Sequence, residues 1–271
     1  MGSMTLPATS ELVCGDGRVL RYCLYGPEDG LPVMSHVGSP GSRWMRPDSI
    51  REIEQGKLRF LVFDRPGYGG SSRRPGRAVV DVVDDVESLA DAQGWARFAV
   101  SGGSGGGPHA LACAALLPDR VTRCAVVSGI RPADSGQPPR EDAALRLTLV
   151  GVAAPILEAI GAGGPEMPGI PGPAARTDPD AMARIRATFV DSMDGWVDDS
   201  LAFASPWGFE PDKITVPVAI WYGTHDANLS PAHSDWLLAH IPEARGHQYV
   251  GGHAPGLEVS RQIHDWLGAS T

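Results

Sequence analysis

Short apolar runs separated by turn residues dominate the first half of the chain. Residues 19–24 alternate between apolar and polar positions and end at a Tyr-Gly-Pro turn, which predicts a β-strand. Residues 79–93 place apolar side chains at helical spacing with acidic side chains opposite, which predicts an amphipathic helix. The same criteria predict further strands at 32–37, 60–63, 98–100 and 124–127, and further helices at 44–55 and 106–117.

The pattern changes over residues 131–215, where no convincing strand is found. Helical patterns there surround a stretch rich in glycine and proline. An insertion of this kind between two core strands is typical of a cap or lid over a site. An insertion with a purely structural role would give the same pattern. The predicted helices are 142–160 and 178–191, the second able to extend toward Trp196, and the loop between them is 161–173.

Strands and helices alternate again from residue 216 onward. This alternation predicts an α/β fold with a mostly parallel central sheet flanked by helices on both faces. We assign residues 5–130 and 216–271 to the core, and residues 131–215 to a helical cap inserted before the strand at 216–222. The closing elements are strands at 216–222 and 247–250 and helices at 231–240 and 256–267.

Composition and charge narrow the possible partners. The 271 residues are 42% hydrophobic and 20% charged, an ordinary globular composition. The net charge of −9 argues against nucleic-acid binding, so Arg73, Arg74 and Arg77 are interpreted as part of a solvated loop. No segment reaches the roughly 18 to 20 consecutive apolar residues that cross a bilayer, and no secretory signal pattern is found. We therefore expect a soluble cytoplasmic protein that contacts no membrane.

Cysteine and histidine spacing excludes two further classes of protein. Cys14, Cys23, Cys113 and Cys124 are spread along the chain without C-x-x-C spacing, which is untypical of a disulfide scaffold or a zinc site. The histidines and acids lack metal-ligand spacing such as H-E-x-x-H. The cysteines are therefore predicted to be structural, and we expect neither a metal nor a cofactor.

A Gly-x-Ser-x-Gly motif lies at residues 102–106, between a predicted strand and a predicted helix. A serine on such a sharp turn adopts strained backbone angles, and glycine two residues before and after it removes Cβ atoms that would clash. Ser104 is therefore the candidate nucleophile, and the Gly105 amide is a candidate oxyanion donor. A flexible glycine loop and a dinucleotide-binding loop are the alternatives. The second is disfavoured because no acid follows in the strand at 124–127.

Two more segments complete a family resemblance. Residues 38–43 (GSPGSR) and 64–71 (DRPGYGGS) each follow a predicted strand. Together with residues 102–106 they resemble the α/β-hydrolase family, in which H-G-x-P-G-S-R, D-x-x-G-x-G-x-S and G-x-S-x-G occur in this order. The resemblance extends along nearly the whole chain, including the stretch at 195–209. One departure is that Val37 stands where the family usually has histidine, with His36 one position earlier.

The resemblance implies a nucleophile, an acid and a histidine in that chain order. The histidine is expected in the loop after the last strand, which points to His253, whereas His247 falls inside the strand. The acid is expected in a G-x-x-D-x-x-x-x-P loop, which points to Asp226; Asp134, after the previous strand, is the alternative. Ser39 is implied as the second oxyanion donor, through its backbone amide.

These residues predict acyl transfer to water on a small-molecule substrate. The expected substrate is a small to medium, largely apolar ester, lactone or thioester, and Met193, Trp196 and Trp207 are candidate pocket residues of the cap. The alternative enzymatic function is carbon–carbon bond hydrolysis or peracid formation with the same triad. The non-enzymatic alternative is a member of the family that binds a ligand without turnover. The sequence does not indicate an oligomeric state.

Overall fold

The computed structural model describes residues 8–133, 179–190 and 192–269. Eight strands of these segments form one sheet: β1 (Ser10–Val13), β2 (Val19–Tyr25), β3 (Leu31–His36), β4 (Leu58–Phe63), β5 (Phe98–Gly103), β6 (Val121–Val127), β7 (Val218–Gly223) and β8 (Arg245–Tyr249). Their order is β1-β2-β4-β3-β5-β6-β7-β8. β2 pairs antiparallel with both β1 and β4, and all other neighbours are parallel. The central strands are nearly continuous apolar runs because both of their faces are covered.

Helices pack on both faces of this sheet. The helices of the described segments are α1 (Pro47–Glu54), α2 (Val82–Ala92), α3 (Gly106–Leu116), α4 (Pro179–Thr188), α5 (Asp194–Ala204), α6 (Ala232–His240) and α7 (Leu257–Gly268). Along β4, Leu61 and Phe63 join the apolar cluster that contains residues of α2, α3 and α6. Phe60 and Val62 join the opposite cluster, with residues of α1 and α7. The alternation of side chains along a strand thus divides the core into two layers.

Most sequence-predicted elements are confirmed within a few residues, one strand was missed and two expectations need correction. β1 was not predicted, because it is a four-residue edge strand with partly exposed side chains. The helix predicted at 178–191 ends at Thr188, and a separate helix, α5, begins at Asp194. Arg77 is buried in an ion pair, so the solvated-loop interpretation is wrong for that residue. The predicted helix at 142–160, the loop at 161–173 and Asp134 lie outside the described residues.

Two further findings concern cysteines and helix length. All four cysteines are buried free thiols, which agrees with the structural role predicted for them. Within the described segments, none of the helices combines the length and apolarity that a bilayer crossing demands.

Candidate active site

Four of the sequence-predicted residues each follow the end of a parallel strand. Ser39 follows β3, Ser104 follows β5, Asp226 follows β7 and His253 follows β8. Carboxyl ends of parallel strands lie at the same edge of a sheet, which is where open α/β sheets form their sites. The topology therefore gathers residues that are more than 200 positions apart in the sequence.

Ser104 occupies a strained turn between β5 and α3. Its φ angle is 52°, in the left-handed region that non-glycine residues seldom adopt. Its amide donates a hydrogen bond to the Val127 carbonyl at 2.8 Å, which fixes the turn against β6. A Cβ atom on Gly102 would collide with the backbone of Gly106, and one on Gly106 would collide with the His36 carbonyl. Glycine is therefore required at both flanking positions, for the reason that the sequence motif suggested.

His253 and Asp226 contact each other directly. The Nδ1 atom of His253 lies 2.7 Å from Oδ2 of Asp226. The other carboxylate oxygen, Oδ1, accepts hydrogen bonds from the amides of Asn228 at 2.9 Å and Leu229 at 3.0 Å. With Nδ1 facing the carboxylate, Nε2 is the ring nitrogen left to exchange a proton with a reacting group.

The surroundings of Asp226 keep its carboxylate ionised. Burial alone would raise its pKa, but the hydrogen bonds from Leu229, His253 and Asn228 outweigh that cost and hold the pKa below its usual value. The carboxylate is largely buried, with 4% of its side chain exposed, whereas the imidazole of His253 is 24% exposed. The acid is thus shielded, and the histidine is open to a substrate.

The loop after β3 lies beside the nucleophile. A Cβ atom placed on Gly38 would be 3.4 Å from Cβ of Ser104, and the Ser39 hydroxyl lies against Gly105. The amides of Ser39 and Gly105 donate no hydrogen bond to any residue within 8–133, 179–190 or 192–269. Two free amides next to a strained serine are the arrangement that an oxyanion would require.

Comparison with known proteins agrees with this architecture. A family model described as the alpha/beta hydrolase fold matches residues 32–153. The solved structure of a hydrolase from Pseudomonas aeruginosa aligns with a TM-score of 0.75 at 22% identity, covering 96% of this chain and 98% of that one. The chain therefore has the α/β-hydrolase fold. The enol-lactonase from Burkholderia xenovorans aligns similarly, with a TM-score of 0.73 at 21% identity over 95% of this chain and 97% of its own.

A curated relative matches a smaller part of the chain. The proline iminopeptidase from Xylella fastidiosa is 35% identical over 129 residues, which are 46% of this chain. The match spans only 40% of the length of that relative. The match thus leaves more than half of each protein unaligned.

The three predicted pocket residues occupy different environments. Trp207 is 3% exposed and packs in the larger apolar core cluster, with its ring 5.7 Å from that of Phe209. Met193 and Trp196 are only partly buried, next to or within the first turn of α5. Phe203, near the end of α5, brings its ring edge to 3.0 Å from where a Cβ atom on Gly105 would lie. Phe203, which is not one of the three candidate residues, therefore lies beside the serine turn.

Two residues that sequence reasoning missed hold the loop of His253. The Ser128 hydroxyl donates a hydrogen bond to the His253 carbonyl at 3.0 Å, and the Tyr249 hydroxyl approaches the same oxygen at 3.3 Å. Ser128 is 3% exposed and has a φ angle of 46°. Its position directly after β6 was the available signal, because that edge of the sheet carries the site.

Two other histidines contact parts of the fold outside the pair formed by His253 and Asp226. His109 is buried, with Nδ1 2.9 Å from the Gly105 carbonyl, and His247 lies within β8 and stacks on Trp221. In the described part of the chain, His, Cys, Asp and Glu side chains form no group of three or more that could hold a metal ion.

Proposed function

We propose that this α/β hydrolase cleaves carboxylic esters, lactones or thioesters through an acyl-enzyme, with Ser104 as nucleophile, His253 as base and Asp226 as acid. One observation carries the proposal: a serine with a φ angle of 52° shares a sheet edge with a histidine whose Nδ1 lies 2.7 Å from a buried carboxylate. Backbone strain at a serine, a base and an orienting acid are the three components of activated-serine chemistry.

In the proposed reaction, Nε2 of His253 takes the Ser104 proton while the serine oxygen attacks the substrate carbonyl. The resulting oxyanion accepts hydrogen bonds from the amides of Ser39 and Gly105. His253 then donates its proton to the departing alcohol or thiol. Water attacks the acyl-enzyme with His253 again as base, and the proton returns to Ser104 as the acid product leaves. Asp226, kept ionised at neutral pH, stabilises the imidazolium in both steps.

The proposed substrate is small to medium in size and largely apolar. Phe203, whose ring lies beside Gly105, supports an apolar wall near the nucleophile. We propose that the partly exposed Met193 and Trp196 contribute to this wall. Trp207 is left out of this wall because it is buried in the core. We propose further that residues 131–215 act as a cap over this site. The enol-lactonase among the similar structures supports the lactone class.

A fluorophosphonate probe tests the proposal directly, because it reacts only with an activated serine. Wild-type protein should label and should hydrolyse p-nitrophenyl esters, while Ser104→Ala should lose at least about 10^4-fold in kcat/KM. Ser101→Ala is the matched control: this serine lies in β5, and its hydroxyl bonds to that of Ser35. Wild type that labels no better than Ser104→Ala would overturn the assignment.

The acid is tested separately, because Asp134 was an alternative. Asp226→Asn should lower kcat by about 10^3- to 10^4-fold, since it removes the charge that orients and stabilises the imidazole. Asp134→Asn should change kcat by less than about twofold. A large loss in Asp134→Asn together with a small loss in Asp226→Asn would reassign the acid.

A further inference from the structure

A fully buried carboxylate joins α5 to the loop that carries Ser39. Asp199, in the second turn of α5, is 0% exposed. It pairs with Nη2 of Arg65 at 2.6 Å and Nη1 of Arg77 at 2.6 Å, and accepts a hydrogen bond from the Tyr68 hydroxyl at 3.0 Å. Burial would raise the pKa of Asp199, but the two guanidinium groups hold it well below its usual value. The carboxylate is therefore a permanent anion at the centre of this network.

Arg65 connects that anion to the backbone before Ser39. Its Nη1 donates to the Val37 carbonyl at 2.6 Å, and its Nη2 donates to the Gly38 carbonyl at 3.3 Å. The Gly38 carbonyl and the Ser39 amide belong to one planar trans peptide, so they point in opposite directions. A guanidinium that holds the carbonyl therefore turns the amide N–H to the other side of the loop, away from Arg65.

The Ser39 side chain is fixed by the same two residues. Its hydroxyl donates to Oδ2 of Asp199 and accepts from Nη2 of Arg65 at 2.8 Å. Because the hydroxyl proton is already given to Asp199, Ser39 is left with its backbone amide as the donor for a reacting oxygen. Three contacts from Arg65 and Asp199 thus hold one peptide and the side chain that follows it.

The helix α5, which supplies Asp199, is also anchored on the loop after β4. These contacts are separate from those of Arg65. The backbones of Gly67 and Gly195 touch, so that a Cβ atom on Gly67 would lie 2.8 Å from the Gly195 Cα. Arg73 pairs with Asp198 at 2.8 Å and with Asp194 at 2.7 Å. Asp198 is therefore a close match to Asp199: it is an adjacent, buried, arginine-paired carboxylate on α5, but it makes no hydrogen bond or ion pair with residues 37–39 among the described residues.

We propose that Asp199 is a positioning residue for the oxyanion hole: acting through Arg65 and the Ser39 hydroxyl, it aligns the Ser39 amide with the reacting oxygen. This inference rests on the proposed acyl-transfer function. It gives α5 a role beyond covering the site, because oxyanion binding then depends on the position of this helix relative to the loop that carries Ser39. A carboxylate in the cap region controls a backbone donor in the core.

The test compares Asp199→Asn with Asp198→Asn in the full chain. Asp199→Asn should lower kcat for p-nitrophenyl esters by about 10- to 100-fold with KM within about twofold, since a misaligned oxyanion donor weakens the transition state more than the ground state. Its affinity for a trifluoromethyl ketone, which forms an oxyanion on Ser104, should fall by a similar factor. Asp198→Asn should lower the melting temperature while kcat and ketone affinity stay within about twofold of wild type.

A second variant keeps the proposal testable if Asp199→Asn does not fold. Ser39→Ala retains the amide but loses both side-chain contacts, and should lower kcat and ketone affinity together by about 10-fold at unchanged KM. Equal effects of the two aspartate variants, or a normal kcat in Asp199→Asn or Ser39→Ala, would overturn the positioning role while leaving the serine chemistry intact. Wild type without probe labelling or ester turnover would instead overturn the proposed function, and this inference with it.

Discussion

The carbonyl oxygen of His253 is held by the hydroxyl groups of Ser128 and Tyr249. These bonds fix the main chain of the loop, while Asp226 fixes the ring, so the imidazole is constrained at both ends. Ser128→Ala removes the shorter bond, and a hydrogen bond of this kind contributes about 1 to 1.5 kcal/mol. We expect kcat for p-nitrophenyl butyrate to fall about 5- to 10-fold, with KM nearly unchanged.

The comparison with Tyr249→Phe checks this residue-scale prediction. That variant removes the longer contact to the His253 carbonyl together with the 3.1 Å hydrogen bond from the same hydroxyl to the Gly252 carbonyl. Because the single phenol proton is shared between two acceptors, its loss should lower kcat less than Ser128→Ala does. A lower melting temperature in Ser128→Ala with a wild-type kcat would show that the hydroxyl only supports the fold.

Among the elements, α5 shows where sequence patterns stop being informative. Most strands and helices were predictable because their buried faces are apolar and recur at the period of the element. The buried face of α5 instead includes Asp198 and Asp199, which a hydrophobic pattern assigns to solvent. Their arginine partners lie more than 120 residues away, in the loop after β4. Only the folded chain brings these charges together.

The end of α5 also provides a prediction about specificity. The ring of Phe203 lies against Gly105, next to the proposed oxyanion site. Phe203→Ala should open space there and raise kcat/KM for long acyl chains relative to acetate by about 10-fold, because burying additional methylene groups strengthens binding by 1 to 3 kcal/mol. A p-nitrophenyl ester series from two to ten carbons measures this ratio. Phe209→Ala, which loses an aromatic ring that packs on buried Trp207, should keep the wild-type profile.

At the scale of the whole molecule, the parallel sheet explains which parts of the site the sequence could predict. Ser104, Asp226 and His253 each follow a strand within a few residues, so strand prediction and chain order suffice to propose them. Ser128 also follows a strand, but a single serine has no motif to identify it. Arg65 and Asp199 act through contacts across the fold, so their roles depend on tertiary distances that no local pattern encodes.

Two buried histidines make the stability of the whole molecule sensitive to acid. Burial lowers the pKa of His109 to about 3 and holds that of His36 well below its usual value. Between about pH 6.5 and pH 3 the unfolded chain binds protons that the folded chain excludes, so the free energy of unfolding falls as pH falls, by up to about 1.4 kcal/mol per pH unit for each histidine. Asp199 adds no slope above about pH 5. Its carboxylate is ionised there in the folded protein, where its pKa is lowered, and in the unfolded chain, where its pKa is ordinary.

Urea unfolding at pH 7.5, 6 and 5 should therefore show decreasing stability. The variant His109→Gln should reduce the dependence of the free energy of unfolding on pH by about 1 kcal/mol per pH unit, whatever its stability at pH 7.5. A slope that is the same in wild type and His109→Gln would mean that His109 is protonated in the folded protein.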